Sequence, residues 1–241
     1  MHRSALSSTL KPIDGFCVGQ HPLVCRLLKG AFNNRPPRPK LCPTWSVDKV
    51  LKTLKTWSPA SSLDLKCLTY KTSMLVALAS AKRPSSLALL SVKRGFCEIG
   101  DSSIRFQPVD LEKTEGPNHC GRPLVIDKFQ DDPRLCPFRY LKAYIKRAEA
   151  LRSSDKLFVC VVAPHGAAST ATILRWLQKA IQMSSQSGSG GSTRAASSSR
   201  ALVKGVSLAS VLEAGDWARA STFKRFYFKP SELSFQSSVL N

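Results

Sequence analysis

Cysteine is the residue type in this chain most able to hold a metal or do thiol chemistry, and eight occur, at positions 17, 25, 42, 67, 97, 120, 136 and 160. No two are spaced C-x-x-C and no histidines cluster beside them, so the spacing supplies no zinc site and the thiols are expected to be free. Charge offers a different chemistry. Against 36 Lys and Arg stand 16 Asp and Glu, a net charge of +20. Such a chain is drawn to polyanions, and nucleic acid is the leading partner. One arginine stands apart from the rest: Arg194, in the middle of "SSQSGSGGSTRAASSS" at residues 184–199. A guanidinium stays protonated at any working pH and its planar fork meets two phosphate oxygens at once. The Gly and Ser around it, however, bury nothing and read as a flexible linker. Tyr227, in "FYFKP" beside Phe223 and Phe226, is a phenol that ordinary packing accounts for.

The remaining composition bounds the class. A hydrophobic content of 43% over 241 residues suffices for a real core. A membrane-surface protein would want a basic amphipathic helix or a lipidation signal, and neither is evident. With no secretory signal at the N-terminus and no apolar run near eighteen residues, the chain is expected outside the bilayer and in a reducing, intracellular compartment.

Chemistry at distant positions needs elements to bring them together. The stretch "RPPRPKLCP", residues 35–43, holds four prolines and is expected to be an extended linker with a boundary near residue 44. Before it, Leu23, Val24, Leu27 and Leu28 recur at helical spacing, in a segment too short for its own core. After it, Val47, Val50, Leu51 and Leu54 share one face of a helix over about 46–56, with Lys49, Lys52 and Lys55 on the other. Leu65, Leu68, Thr72, Leu75, Val76 and Ala79 mark a longer, more apolar and therefore central helix. Pro84 suits the first turn of a new helix, which leaves Arg83 at the joint. Three short strands are expected in "GFCEI", "SIRFQPV" and "PLVI". Helices resume at about 136–152 and 171–182, Ser207 caps another that Gly215 stops, and Ser221 is expected to cap a last one carrying Phe223, Phe226 and Tyr227. The fold class that follows is mainly α with a small antiparallel β-sheet.

Several of these segments, in this order, resemble one family. "LASAKRPSSLALLSV", "LCPFRYLKAYIKRAEALR", "PHGAASTATILRWL", "STRAASSS" and "AGDWARASTFKRFYFKP" are similar to the catalytic domain of tyrosine recombinases and integrases, most of all to the recombinases of DIRS-type and Crypton-type mobile elements. The resemblance covers nearly the whole chain. "IDGFCVGQHPLVCRLLKGAFNNRPPRP" looks like the end of that family's N-terminal, helical DNA-clamping domain. The division implied is 1–34 for that truncated end, 35–44 for the linker, 45–230 for the catalytic domain and 231–241 for a C-terminal tail.

What the resemblance implies is strand cleavage and rejoining of double-stranded DNA through a 3′-phosphotyrosyl intermediate, with no metal or nucleotide cofactor, by a homo-oligomer assembled on DNA, in the nucleus. Tyr227 matches the nucleophile, and Arg83 and Arg194 match the two arginines that clamp the phosphate. Lys113, in the turn between the second and third strands, matches the general acid, with Lys93 or Lys128 as substitutes in another registration. Trp217 matches a position where relatives carry histidine or tryptophan as a phosphate donor. The family writes its second arginine as His-x-x-Arg followed by a helix rich in small residues; here Arg194 and that helix start are kept, and the histidine is Gly191. Losing one general acid or base costs on the order of 10²- to 10⁴-fold in rate, so weakened activity is expected, and a catalytically inactive DNA-binding remnant is the alternative. His165, in "APHGA", lies too far along the chain to be assigned as a replacement.

Overall fold

Most of the longer helices begin where a side chain or a proline satisfies the first turn. The computed structural model describes residues 2–36, 45–107, 109 and 122–229, and its two compact units divide between residues 42 and 43. In the first unit, α1 (His2–Thr9) and α2 (Pro22–Asn34) flank a single 3₁₀ turn, Val18–Gln20. Ser7 Oγ accepts a hydrogen bond from the buried Gly19 amide at 2.7 Å. Helix α2 starts on Pro22, with the His21 ring accepting from Leu23 N, and it buries none of its residues within its own unit.

The second unit holds α3 (Val47–Thr56), α4 (Leu65–Ser80), α5 (Pro84–Leu89), strands β1 (Cys97–Ile99), β2 (Ser103–Phe106) and β3 (Leu124–Asp127), then α6 (Pro137–Glu149), α7 (Thr170–Met183), α8 (Thr193–Val203), α9 (Leu208–Ala214) and α10 (Ala220–Phe226). Side chains of Ser46, Asp64, Ser169 and Ser207 accept from the backbone N–H three residues on, capping α3, α4, α7 and α9. Each such cap is worth about 1 kcal/mol. Pro84 and Pro137 occupy the first turns of α5 and α6, where a missing N–H does no harm.

Helix α4 is the hub and packs against α6, α7 and α8. Its Leu68, Met74, Val76 and Ala77 are fully buried among Leu54, Leu87, Leu141, Tyr144, Ile173 and Leu177, and each large side chain so buried contributes roughly 1.5–3 kcal/mol. Polar residues in α4 are matched from within: Thr69 Oγ1 donates to Leu65 O and Ser80 Oγ to Val76 O, both at 2.7 Å. The strands form one antiparallel sheet in the order β1-β2-β3. Ile104 stands opposite Ile126 in the register, and with Phe106 they face the core while Arg105 faces solvent. A second, smaller apolar cluster of Val211, Trp217 and Phe223 forms where the last helices meet α8.

Two expectations are corrected. The Gly/Ser run is not a tether: from Thr193 it is helix α8, and Thr193 through Ser199 are all buried. Small residues are there because α8 lies close against its neighbours. Ser221 does not cap the last helix either. Arg219 is the N-cap residue, without a side-chain bond, and Phe223 N reaches Arg219 O at 3.4 Å. Burial of Phe223 in the small cluster, not a serine hydroxyl, sets where α10 starts. Lys113, residues 37–44 of the proline-rich segment and the tail 231–241 lie outside the described residues.

Candidate active site

The turn that delivers Arg194 is built by close approach. At Gly190 an added Cβ would stand 2.3 Å from Leu174 O on α7, so only glycine lets the chain touch that helix before turning into α8. Ser189 Oγ accepts from Gly191 N at 3.2 Å, and Ser192 Oγ donates to Ser189 O at 2.6 Å. The result is one 3₁₀ turn, Gly190–Ser192, running directly into α8.

Arg194, in the first turn of α8, is 2% exposed. Its guanidinium carbon lies 3.8 Å from the centre of the Trp217 ring and 5.3 Å from that of Tyr227. A desolvated cation on an indole face is worth about 2 kcal/mol. Trp217 meets Tyr227 edge-on with centroids 5.1 Å apart and Phe223 with centroids 4.9 Å apart. Three of the five residues singled out in the sequence therefore form one guanidinium–aromatic cluster, assembled from α8, the α9–α10 turn and the end of α10.

The α9–α10 turn places Trp217 by a left-handed residue. Asp216 has φ +57°, a conformation that is uncommon outside glycine but better tolerated by aspartate than by most residues. Gly215 N bonds Val211 O at 3.1 Å and Trp217 N bonds Leu212 O at 2.9 Å, which folds the indole back over the end of α9. There a Cβ at Gly215 would fall 1.8 Å from the ring. The indole Nε1 is buried and has no hydrogen-bond partner among the described residues.

Arg83 sits at the other joint. It is the N-cap residue of α5, two positions after Ala81, whose φ of +48° ends α4. One terminal nitrogen of its guanidinium, Nη1, is buried without a hydrogen-bond partner among the described residues. It takes no part in the ring contacts around Arg194. Lys93 is exposed in the bend before β1 and Lys128 follows β3, its amide bonded to Ser102 O at 2.7 Å. On the far side of the same hairpin Arg122, the first described residue after the segment containing Lys113, pairs with Glu213 of α9. His165 belongs to a local loop, with Nδ1 2.9 Å from Cys160 O.

Position 191 leaves room for a side chain: a Cβ there would make only ordinary contacts, 3.5 Å to Ser189 Oγ and 3.6 Å to a Leu174 methyl. A separate cleft of about 890 Å³ runs between α3, α4, β3 and α8, with Asp48, Asp132, Lys52, Lys55, Lys128 and Arg200 among its lining residues. Its charge is mixed, and none of Arg83, Arg194, Trp217 and Tyr227 lines it. Among the described residues no group of three or more His, Cys, Asp or Glu is arranged to hold a metal ion, and no helix is long and apolar enough to cross a membrane.

Two contributors were not singled out from sequence. Trp45 follows the proline-rich segment and donates from its indole to Ser192 Oγ at 2.8 Å. Ser199 is one of several serines in a run and nothing local distinguishes it.

No family model and no curated protein matches the chain. Solved structures do share its fold. XerA recombinase matches with a TM-score of 0.56 at 16% identity, over 87% of this chain and 69% of that one. XerH site-specific recombinase, in a pre-cleavage complex with difH substrate, matches with a TM-score of 0.54 at 14% identity, over 73% of this chain and 47% of that one. A lambda integrase dimer bound to a COC′ core site matches with a TM-score of 0.52 at 14% identity, over 97% of this chain and 80% of that one. The chain thus has the tyrosine recombinase catalytic-domain fold, mostly helical with a three-stranded antiparallel sheet.

Proposed function

We propose that this protein cleaves and rejoins DNA strands, with Tyr227 as the nucleophile. The observation that carries the reading is the contact of Arg194 with both Trp217 and Tyr227: an obligate cation, an indole donor and a phenol gathered at one point of a chain of net charge +20. In the reaction, Tyr227 Oη attacks the phosphorus of a backbone phosphodiester and gives up its proton to solvent. The bond from phosphorus to the 5′-oxygen breaks, the DNA 3′ end remains esterified to the phenol, and the 5′-oxygen takes a proton from the general acid, assigned to Lys113. Attack by a 5′-hydroxyl reverses every step, so the phosphodiester energy is retained and no nucleotide is consumed.

The chemistry explains the residue types. Charge builds on the non-bridging oxygens as phosphorus becomes five-coordinate, and fixed donors aimed at those oxygens stabilise that state more than the ground state. Arg83 Nη1 and Trp217 Nε1 are buried donors without partners among the described residues, and a phosphate oxygen is the acceptor that would satisfy them. The XerH structure is bound to difH substrate and the lambda integrase structure is a dimer bound to a COC′ core site; for this chain we propose double-stranded DNA binding and homo-oligomer assembly. We further assign it to a mobile element of the DIRS or Crypton type, acting in the nucleus, with 1–34 as the end of a DNA-clamping domain, 45–230 as the catalytic domain and 231–241 as its tail. The nucleus, the mobile-element type and the division rest on the sequence resemblance.

A second reading is favoured by one observation, the glycine at position 191 where the family's motif has histidine: an inactive remnant that still binds DNA. A nicked suicide substrate separates the two. The first reading expects a covalent protein–DNA band on a denaturing gel, absent in Tyr227→Phe. The second expects no band from either protein, with DNA binding retained and falling steeply with salt through counterion release.

A further inference from the structure

Helix α8 carries three consecutive serines after Arg194, and their hydroxyls are used differently. Ser197 Oγ and Ser198 Oγ turn back onto Arg194 O, at 3.2 and 2.7 Å. Ser199, 5% exposed, reaches out of its helix. Its Oγ donates to Tyr227 O at 3.3 Å and accepts from Lys229 N at 2.9 Å. One buried hydroxyl therefore grips the chain at the residue that carries the phenol and again two residues later.

The grip comes where α10 has no further hold of its own. Helix α10 has seven residues, and Tyr227 is its C-cap residue. The amides of Tyr227 and Phe228 both return to Phe223 O at 2.9 Å, which leaves the carbonyl of Tyr227 and the amide of Lys229 beyond the helical ladder. Backbone groups partly sheltered from water still need partners, and Ser199 supplies one for each. We infer that Ser199 is a positioning residue: it sets the backbone of Tyr227 against α8, so that phenol and Arg194 guanidinium are spaced by a single rigid helix. The inference rests on the proposed strand-cleavage reading. Both of these Ser199 bonds go to backbone atoms, so its effect runs through the placement of Tyr227.

A tyrosine that attacks phosphorus and later leaves it must return along the same line. A clamp on its backbone serves both directions, and loosening it slows both. Misplacement of a reacting group by about 1 Å costs on the order of 10²-fold, while affinity for DNA depends on many cations far from this contact.

The test compares Ser199→Ala, Ser199→Thr and Ser197→Ala in single-turnover cleavage and in rejoining, beside DNA affinity and hydrogen exchange at the Lys229 amide. Ser199→Ala is expected to lower cleavage and rejoining by the same factor, about 10- to 100-fold, with DNA affinity unchanged within twofold and the Lys229 amide exchanging faster. Ser199→Thr keeps a hydroxyl and restores amide protection and most of the rate. Ser197→Ala changes neither. Lys229→Pro removes the amide partner without touching the buried face of α8, and it lowers both rates as Ser199→Ala does even where the latter folds poorly. Unchanged exchange at Lys229 in Ser199→Ala, or faster exchange with unchanged rates, overturns the inference. Amide exchange reads the clamp whether or not the parent cleaves, so absence of a covalent adduct from the parent would sink the strand-cleavage reading and leave the clamp to be judged separately.

Discussion

The Trp45 indole donates a hydrogen bond to Ser192 Oγ at 2.8 Å, tying together residues 147 apart in sequence, immediately before α8 begins. The next residue doubles the tie: Ser46 N donates to Gln186 Oε1 at 2.6 Å, and Gln186 Nε2 returns a bond to Ser46 O at 3.1 Å. The Trp45 ring also lies against Gly188, where a Cβ would fall 2.5 Å from it. Farther on, Asp48 of α3 pairs with Arg200 of α8 at 2.7 Å. The loop that leads to Arg194 is thus shaped against the start of α3.

Trp45→Phe keeps an aromatic ring but loses the hydrogen bond and part of a buried indole, so it is expected to lower stability by about 1–3 kcal/mol. Gly188→Ala drives a methyl into the indole and is expected to cost about 1–3 kcal/mol. Urea unfolding of the two variants checks both values. A Gly188→Ala protein as stable as the parent would mean that the indole does not occupy that place.

Positions 190 and 191 make a matched pair. Gly191→His should fold with nearly parental stability, because its Cβ meets nothing closer than 3.5 Å, whereas Gly190→Ala forces a methyl to 2.3 Å from the Leu174 carbonyl and should cost about 1–3 kcal/mol. If the missing imidazole is what weakens the site, Gly191→His raises the rate of covalent adduct formation by about 10²-fold. Thermal melts and the adduct assay together decide; an inert Gly191→His of parental stability would show that the site lacks more than that one group.

A pH dependence follows from Lys71. Its side chain is fully buried, donates from Nζ to Leu54 O at 2.6 Å and lies over the Tyr140 ring at 4.2 Å. Burial pushes its ammonium down to about 8, with Asp132 opposing and Arg134 reinforcing that shift. Below that value both folded and unfolded chains hold the proton, and the full penalty of a buried charge is felt. Between pH 8 and the ordinary lysine range the unfolded chain holds more protons, so the contribution of Lys71 to stability rises with pH across that window. Measured against Lys71→Met, the parent should gain about 2–3 kcal/mol between pH 7 and pH 10. A stability difference that stays flat over that range would contradict the shift.

Much of the frame was legible because it depends on local rules. The faces of α3 and α4, the cap at Ser207, the start at Pro84 and the three strands all follow from spacing, proline and capping chemistry. The Gly/Ser run misled because composition reports what a segment lacks, not what packs against it: Gly188 and Gly190 are small to admit Trp45 and Leu174, both distant in sequence. Ser199 was invisible for a related reason, since its two partners lie 28 and 30 residues downstream and its neighbours are serines too. Arg194, Trp217 and Tyr227 were singled out by resemblance to a family, and no periodicity or spacing in this chain alone predicted their mutual contact.

Strand cleavage by Tyr227 requires that its phenol oxygen become bonded to DNA. The most direct measurement traps the protein on a nicked suicide substrate, digests the covalent complex with protease and identifies by mass the residue that retains the nucleotide. The expected product is a 3′-phosphate ester on Tyr227, abolished by Tyr227→Phe and sharply reduced by Arg194→Ala. An ester on any other residue, or an undiminished adduct from Tyr227→Phe, would rule out Tyr227 as the nucleophile.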